Sequence, residues 1–266
     1  MLRRGVGLVT GMHDVSIDSA VVVDSLNVYD NIKRTSNGGI VEYTGSSGFR
    51  VITGGKILGR TAVALVPPYP PAVYEAVQEL IVYGARRVVA VVRGYSLRRN
   101  VPPDSIVLAN AAIAADSVTQ YIVPKEMPLL ATRSLYTQLS EEIIRKGQGG
   151  FAGYYRGKIV LTVDSARAIL EHTRERVDRY SHYKDVVALD TVTAPLYALQ
   201  YIYPSLEVSS LIYIVGDADY ALRIIEEDID LFHTKLHRAS RLLSMLALSV
   251  TEILVGGGVG VEAVGR

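Results

Sequence analysis

Short apolar runs rich in β-branched residues alternate along this chain with longer segments in which apolar residues recur every three or four positions. Because most of the short runs contain almost no polar residue, they predict strands buried on both faces, as in a parallel sheet covered by helices. The predicted strands are 7–9, 20–23, 40–44, 50–53, 62–66, 88–92, 105–109, 118–122, 158–161, 186–189 and 211–215. The predicted helices are 71–83, 131–146, 165–176, 193–202 and 233–254. This alternation favours an α/β fold with a mainly parallel sheet.

The last predicted helix and the residues that follow it suggest where the domain ends. Segment 233–254 has one apolar stripe, formed by Leu236, Ala239, Leu243, Leu246, Val250 and Ile253. This helix is therefore expected to pack on the sheet. Residues 256–266 are rich in glycine and predict a frayed tail. Since no linker rich in Pro, Ser or Gly divides the rest of the chain, residues 1–255 are expected to form one domain.

Composition and charge narrow the possible classes of protein. The chain has 28 basic and 27 acidic side chains and a net charge of +1, which disfavours nucleic-acid binding because that needs clustered positive charge. Residues 1–7 lack the apolar run of a signal peptide, and no stretch approaches the ~20 unbroken apolar residues of a membrane span. A soluble, cytoplasmic protein is expected. The abundance of Val, Ile, Tyr and Arg, with few Asn and Gln, is typical of proteins from thermophiles.

The residues that usually hold metals or form covalent intermediates are scarce. The chain has no Cys, so disulfides, thiolate nucleophiles and zinc-thiolate sites are excluded. The five His residues, at positions 13, 172, 182, 233 and 237, do not form a metal-binding motif. No cofactor and no metal is expected from these residues.

Three segments keep an order and spacing that match a known pattern. The first comprises residues 74–80, then 84–97, then 104–109; the second is 120–128; the third is 187–197 followed by 212–217. Together, over roughly residues 10–255, they resemble the nucleoside phosphorylase superfamily, which includes uridine phosphorylases and purine nucleoside phosphorylases.

This resemblance implies a single-domain, three-layer α/β/α fold with a twisted mixed sheet that partly closes into a barrel. It also implies a homo-oligomer, from dimer to hexamer, and the phosphate-dependent cleavage of the N-glycosidic bond of a nucleoside. That reaction needs a phosphate held by backbone amides and Arg side chains, ribose hydroxyls held by a carboxylate, and protonation of the departing base.

Several positions that the family uses to bind phosphate and ribose carry unsuitable residues here. The glycine-rich phosphate loop is replaced by 66–71, which contains four prolines without an N–H group. The Arg of the central strand falls at Ala90, and the Arg lent by a neighbouring subunit falls near Gly38. The family's Gly-Asp-Pro motif corresponds at best to 11–13, and the ribose-binding Glu to Val192. The resemblance thus implies an eroded phosphate and ribose site.

Three candidate site residues remain near the expected strand ends. Asp217 falls where purine-acting members place the acid that protonates the base, and the alternative is that it caps the next helix. Arg93 stands where the family has Ser or Thr, so it is expected either to contact an anion or to fill the phosphate space. Tyr69, within the proline segment, is expected to contact substrate or to close the cleft with Arg93.

Two further candidates and one alternative come from the second half of the chain. Arg174 and Arg176 lie in 174–181, which resembles the uracil-reading segment of uridine phosphorylases; a solvated basic helix end is the alternative. Asp190 is the acidic neighbour of Val192. Capping of the following helix by Asp190 or Thr193 is favoured over ribose binding.

Three functions stay open from the sequence. The first is a phosphorylase-family protein with weak or no activity that binds a nucleoside or base, with phosphate disfavoured as a ligand. The second is an active uridine or purine nucleoside phosphorylase, a glycosyltransferase, whose phosphate site is rebuilt from Arg93, Arg98 or Arg99. The third is a non-catalytic structural subunit of a hetero-oligomer.

Overall fold

A mixed sheet flanked by helices forms the part of the chain that the computed structural model describes, which is residues 9–36, 38–124, 127–146, 150–165, 175, 178–180, 182–217 and 229–256. The strands are β1 (Ser19–Val23), β2 (Ile40–Thr44), β3 (Arg50–Gly54), β4 (Thr61–Leu65), β5 (Arg87–Ser96), β6 (Ser105–Ala114), β7 (Leu129–Leu130), β8 (Gly153–Thr162), β9 (Val186–Asp190) and β10 (Glu207–Asp217). The helices are α1 (Leu26–Thr35), α2 (Gly55–Leu58), α3 (Pro70–Val82), α4 (Thr119–Ile122), α5 (Arg133–Lys146), α6 (Thr193–Ile202) and α7 (Ile229–Gly256).

Strand β5 organises the sheet because it pairs with three other strands. It runs parallel to β1 and β10, and its last two residues pair antiparallel with β9. Strands β10, β6, β8, β9 and β5 form a closed ring, from which β1, β4, β3 and β2 extend in that order. This arrangement confirms the twisted mixed sheet that partly closes into a barrel.

Helices cover both faces of the open part of the sheet. Alternate residues of β5 face opposite sides, as the pleat of a strand requires. Ala90 and Val92 pack in the core that includes α3 and α6, whereas Val89 and Val91 pack in the core that includes α1, α5 and α7. The three-layer α/β/α fold is therefore confirmed, and the wholly apolar strands are buried on both faces as expected.

The strand predicted at 118–122 is wrong, because this segment contains helix α4 instead. The carboxylate of Asp116 accepts hydrogen bonds from the backbone N–H groups of Val118 (3.0 Å) and Thr119 (2.7 Å). A side-chain acceptor at this position satisfies donors that a helix start leaves without partners. The apolar residues of this segment follow a turn set by Asp116, which outweighs their strand propensity.

Two helices near the amino terminus were not predicted. Helix α1 buries Val28, Tyr29 and Ile32 on one side, which is the spacing of an amphipathic helix. Helix α2 follows β3 directly, with no intervening residue. Gly54 and Gly55 there have φ angles of 80° and 72°, which glycine adopts without the strain of a side chain.

Other differences concern strand lengths and segments near or outside the described residues. Strands β5, β6, β8 and β10 are five or six residues longer than predicted, and β7 was not predicted. Val9, the last residue of the strand predicted at 7–9, lies in a turn, and residues 7 and 8 are outside the described part. The helix predicted at 165–176 also lies outside it, apart from Ser165 and Glu175. Helix α7 continues to Gly256, just past the predicted boundary, and residues 257–266 are not described.

One segment of α7 is long and apolar enough to cross a membrane by length and composition alone. It spans Arg238–Gly256, and 56% of its most apolar window is buried inside the protein. Leu243, Ala247 and Val250 are fully buried in the core that also contains α1. Packing against the sheet therefore accounts for the apolar composition of this helix.

Candidate functional site

The carboxyl ends of four parallel strands meet at one edge of the sheet. Val23, the last residue of β1, pairs in register with Leu65 of β4 and Val91 of β5, and Asp217 of β10 pairs with Ser96 of β5. This edge is where open α/β sheets bind their ligands. The loops that leave these strands begin at Asp24 and Val66, so both belong to the candidate site.

Arg93 forms a nearly buried ion pair with Asp24 at this edge. The Nε atom of Arg93 donates to Oδ2 of Asp24 at 3.1 Å, its backbone N–H donates to the same oxygen at 3.2 Å, and Nη2 donates to the backbone oxygen of Asp24 at 2.9 Å. Only 5% of the Asp24 side chain and 27% of the Arg93 side chain are exposed. The charge of Asp24 raises the pKa of Arg93 further above its ordinary value, against the effect of burial. The guanidinium therefore carries its positive charge, and the carboxylate of Asp24 in the same chain balances that charge.

One oxygen of Asp24 remains without a hydrogen-bond partner. Oδ1 is buried and contacts no donor among the residues that the structure describes. A buried carboxylate oxygen that lacks a donor is unfavourable, so the negative charge of Asp24 depends on the donors of Arg93. Asp24 is an acidic residue directly after an apolar strand, which is a detectable signal, whereas no local pattern indicates its pairing with a residue 69 positions away.

The proline segment 66–71 lies beside this ion pair and has no amide left to donate. Its two N–H groups belong to Val66 and Tyr69. Val66 donates to the backbone oxygen of Val23 at 2.9 Å, and Tyr69 donates to that of Pro67 at 2.8 Å. A phosphate needs several such donors, and this segment supplies none. The side chain of Tyr69 is 41% exposed immediately before α3.

Asp190 supports the end of β9 from inside the protein. It is almost fully buried and accepts hydrogen bonds from the backbone N–H of Thr193 at 2.9 Å and from the hydroxyl groups of Thr193 and Thr162. Burial raises the pKa of Asp190 to about 6, although these hydrogen bonds act in the opposite direction. Both carboxylate oxygens are therefore engaged inside the fold. Asp190 caps α6, as the favoured interpretation expected.

The other positions linked to phosphate or ribose binding are apolar or engaged elsewhere. Ala90 is fully buried between Val22 of β1 and Ser210 of β10, and Val192 is also buried. Arg98 donates from Nε to the backbone oxygen of Val186 at 3.0 Å, at the start of β9. This Arg therefore anchors β9, whereas Arg99 is exposed.

The predicted site residues are only partly brought together. Arg93 lies next to the segment that holds Tyr69, while Asp217 is exposed three residues further along the same pair of strands, about 10 Å from the Arg93 row. Arg174 and Arg176 lie outside the described residues, so the structure does not place them. The site described here thus consists of Asp24, Arg93, the proline segment and Asp217.

A second concave region lies at the carboxyl end of β6. This cavity of about 400 Å³ is lined by Ala112, Ile113, Ala114, Ala115, Thr119, Gln120, Val123, Pro124, Met127, Pro128, Leu129, Arg179 and Tyr180. Arg179 and Tyr180 belong to the segment that resembles the uracil-reading segment of uridine phosphorylases. Nine of its lining residues have apolar side chains, and Thr119, Gln120, Arg179 and Tyr180 contribute polar groups to its wall.

Comparison with solved structures identifies the fold. The chain is similar to uridine phosphorylase from Vibrio fischeri ES114, solved in complex with 6-hydroxy-1-naphthoic acid, with a TM-score of 0.75 and 16% identity over 91% of this chain and 93% of that one. It is also similar to purine nucleoside phosphorylase from Toxoplasma gondii in complex with immucillin-H, with a TM-score of 0.77 and 16% identity over 97% and 99% of the two chains. The chain therefore has the nucleoside phosphorylase fold.

Similarity at the level of sequence is too low to be detected. No protein-family model matches the chain, and no curated protein matches it by sequence. The similarity to these proteins is therefore one of fold.

Proposed function

We propose that this protein binds a nucleoside or a free base at the edge formed by β1, β4, β5 and β10, with phosphorolytic activity that is weak or absent. The observation that carries the proposal is the buried ion pair of Arg93 and Asp24, beside a segment whose amides are all engaged. The fold supports a nucleoside-sized ligand, since purine nucleoside phosphorylase of this fold was solved with immucillin-H.

Electrostatics explains why phosphate is disfavoured. A phosphate dianion near Arg93 would lie against the carboxylate of Asp24, and like charges in a poorly solvated site repel strongly. To bind phosphate, Arg93 would have to leave Asp24 and expose or protonate that buried carboxylate. A neutral nucleoside avoids this repulsion.

The remaining candidates have roles in this proposal. Asp217, exposed at the end of β10, is the group proposed to hydrogen-bond or protonate the base. Arg174 and Arg176 are proposed to contact base carbonyls, and Tyr69 to stack on the ligand. The protein is proposed to act as a homo-oligomer, between a dimer and a hexamer.

The proposal is tested by measuring the release of free base from inosine, adenosine and uridine at elevated temperature, with and without phosphate. We expect little or no phosphate-dependent release, together with a nucleoside-dependent rise in Tm, since a ligand that prefers the native state stabilises it. Rapid phosphate-dependent release would overturn the proposal in favour of an active phosphorylase. If the protein shows no turnover and no shift in Tm, these results would favour a structural subunit.

Arg93→Ala separates an active enzyme with a rebuilt site from the proposed binding protein. If Arg93 held phosphate, its removal would lower turnover sharply while the fold stayed intact. Because Arg98 anchors β9, a rebuilt site would depend on Arg93 or on the exposed Arg99, and Arg99→Ala is the matched second variant. In the proposed protein, neither variant changes a phosphate-dependent rate.

A further inference from the structure

A groove lined by polar side chains lies between α1 and α7, on the side of the sheet that they cover. It has a volume of about 560 Å³ and is lined by Asn27, Asn31 and Arg34 of α1 and by Arg238, Ser240 and Arg241 of α7. All six side chains are polar, and none is a carboxylate. In a chain whose net charge is only +1, three guanidinium groups around one groove are a marked local concentration of positive charge.

Hydrogen bonds hold the α1 side of this groove in place. Nδ2 of Asn31 donates to the hydroxyl of Ser244 on α7 at 3.1 Å, and Nη2 of Arg34 donates to Oδ1 of the same Asn31 at 2.6 Å. The amide thus links the two helices and orients the guanidinium. A pre-oriented Arg loses less conformational entropy when it binds a ligand.

The α7 side contributes one paired and one unpaired guanidinium. Nε of Arg238 lies 3.0 Å from Oδ2 of Asp104, an exposed contact that leaves the other nitrogens of Arg238 able to donate. Arg241 is exposed and makes no hydrogen bond or ion pair with any residue in the described part of the chain. Asp104 is the one acidic partner in these contacts, so the groove keeps a net positive charge.

We propose that this groove binds a small phosphorylated anion, at a site separate from the Arg93–Asp24 pair. Planar guanidinium groups match phosphate oxygens with paired hydrogen bonds, and amide N–H groups add neutral donors. The volume is within the range of small-molecule sites. The same chemistry fits inorganic phosphates and nucleotides, so the probes must distinguish them.

Calorimetric titration of the intact protein with inorganic pyrophosphate and with adenosine 5′-monophosphate tests the site, and excess adenosine is present throughout to occupy the proposed nucleoside site. We expect the two phosphate compounds to bind and Arg34→Gln and Arg241→Gln each to weaken them by about tenfold. The matched control is Arg60→Gln, an exposed Arg paired with Asp18 just before β4, which is expected to leave both affinities unchanged. Tighter binding of the nucleotide would identify it as the ligand class, and equal binding would identify the phosphate alone.

Three outcomes would overturn the proposal. The first is that neither phosphate compound binds. The second is that Arg60→Gln weakens binding as much as Arg34→Gln and Arg241→Gln do. The third is that Arg93→Gln abolishes binding of the phosphate compounds while Arg241→Gln leaves it unchanged. The last outcome would place the anion at the strand edge instead. Arg241 makes no described contact, so this variant stays informative even if Arg34→Gln fails to fold, which circular dichroism would show.

Discussion

At the scale of single residues, the Arg93–Asp24 pair is expected to matter for stability because one partner is almost fully buried. Arg93→Ala removes the guanidinium and leaves the carboxylate of Asp24 with the backbone N–H at position 93 as its donor, which we expect to lower the free energy of unfolding by about 2–3 kcal/mol. Urea denaturation measures this loss.

The control for that substitution is an exposed ion pair. Arg145→Ala removes the contact with Glu142 on the surface of α5, and we expect no measurable change in the free energy of unfolding, since solvent screens an exposed pair. The double variant Asp24→Asn with Arg93→Ala should recover part of the loss, since no buried charge is then left unpaired. Equal effects of Arg93→Ala and Arg145→Ala would contradict the structural role of the pair.

Asp190 predicts a pH dependence of stability. Its pKa in the folded protein is about 6, above the ~3.9 of an unfolded Asp, so the folded state binds more protons between these values. The contribution of Asp190 to stability is therefore largest at low pH and is lost as pH rises from about 4 to about 6. Asp190→Asn removes this titration, so the stability of the variant relative to wild type should increase over that range.

Denaturation at several pH values checks this, with Asp185→Asn as the control. Asp185 is exposed and pairs with Lys158, so its substitution should shift stability without the same rise between pH 4 and 6. A constant difference between wild type and Asp190→Asn across that range would show that Asp190 does not titrate there.

At the scale of elements, α4 depends on one side chain. Asp116 accepts from two backbone N–H groups at the start of this short helix. We expect Asp116→Ala to cost about 1–2 kcal/mol in unfolding free energy. Asp116→Asn keeps one acceptor oxygen and should cost less, so an equal loss in both variants would argue against the capping role.

The elements also show how far local pattern predicts structure. The wholly apolar strands were predicted because burial on both faces is visible in the sequence, and β1, β4 and β9 end within a residue or so of the expected positions. The 118–122 segment was assigned wrongly because the turn set by Asp116 competes with strand propensity. Helix α1 had a detectable signal in Val28, Tyr29 and Ile32, whose spacing fits one helix face.

At the scale of the whole molecule, closure of the sheet brings together residues that no local pattern connects. The resemblance predicted a partly closed barrel, but the pairing of β5 with β1, β9 and β10 sets which side chains meet. Arg93 was a candidate from the sequence, but its partner was not, because Asp24 reaches it only across neighbouring parallel strands. Local sequence patterns therefore could not predict which side chains pair at the strand edge.

Thermodynamic coupling between ligands gives the last test of the candidate site. In a site that holds phosphate beside a nucleoside, each ligand changes the affinity for the other by the same factor. Here Arg93 is already paired with Asp24 of the same chain. We therefore expect the Kd of inosine or uridine to be the same with and without phosphate. Asp24→Ala removes the internal partner and leaves a positive charge next to the bound nucleoside. In that variant we expect phosphate to lower the Kd of the nucleoside, which calorimetry at constant ionic strength measures. If phosphate already changed the Kd in the wild type, Arg93 would have to release Asp24 when phosphate binds, and the proposal would be contradicted.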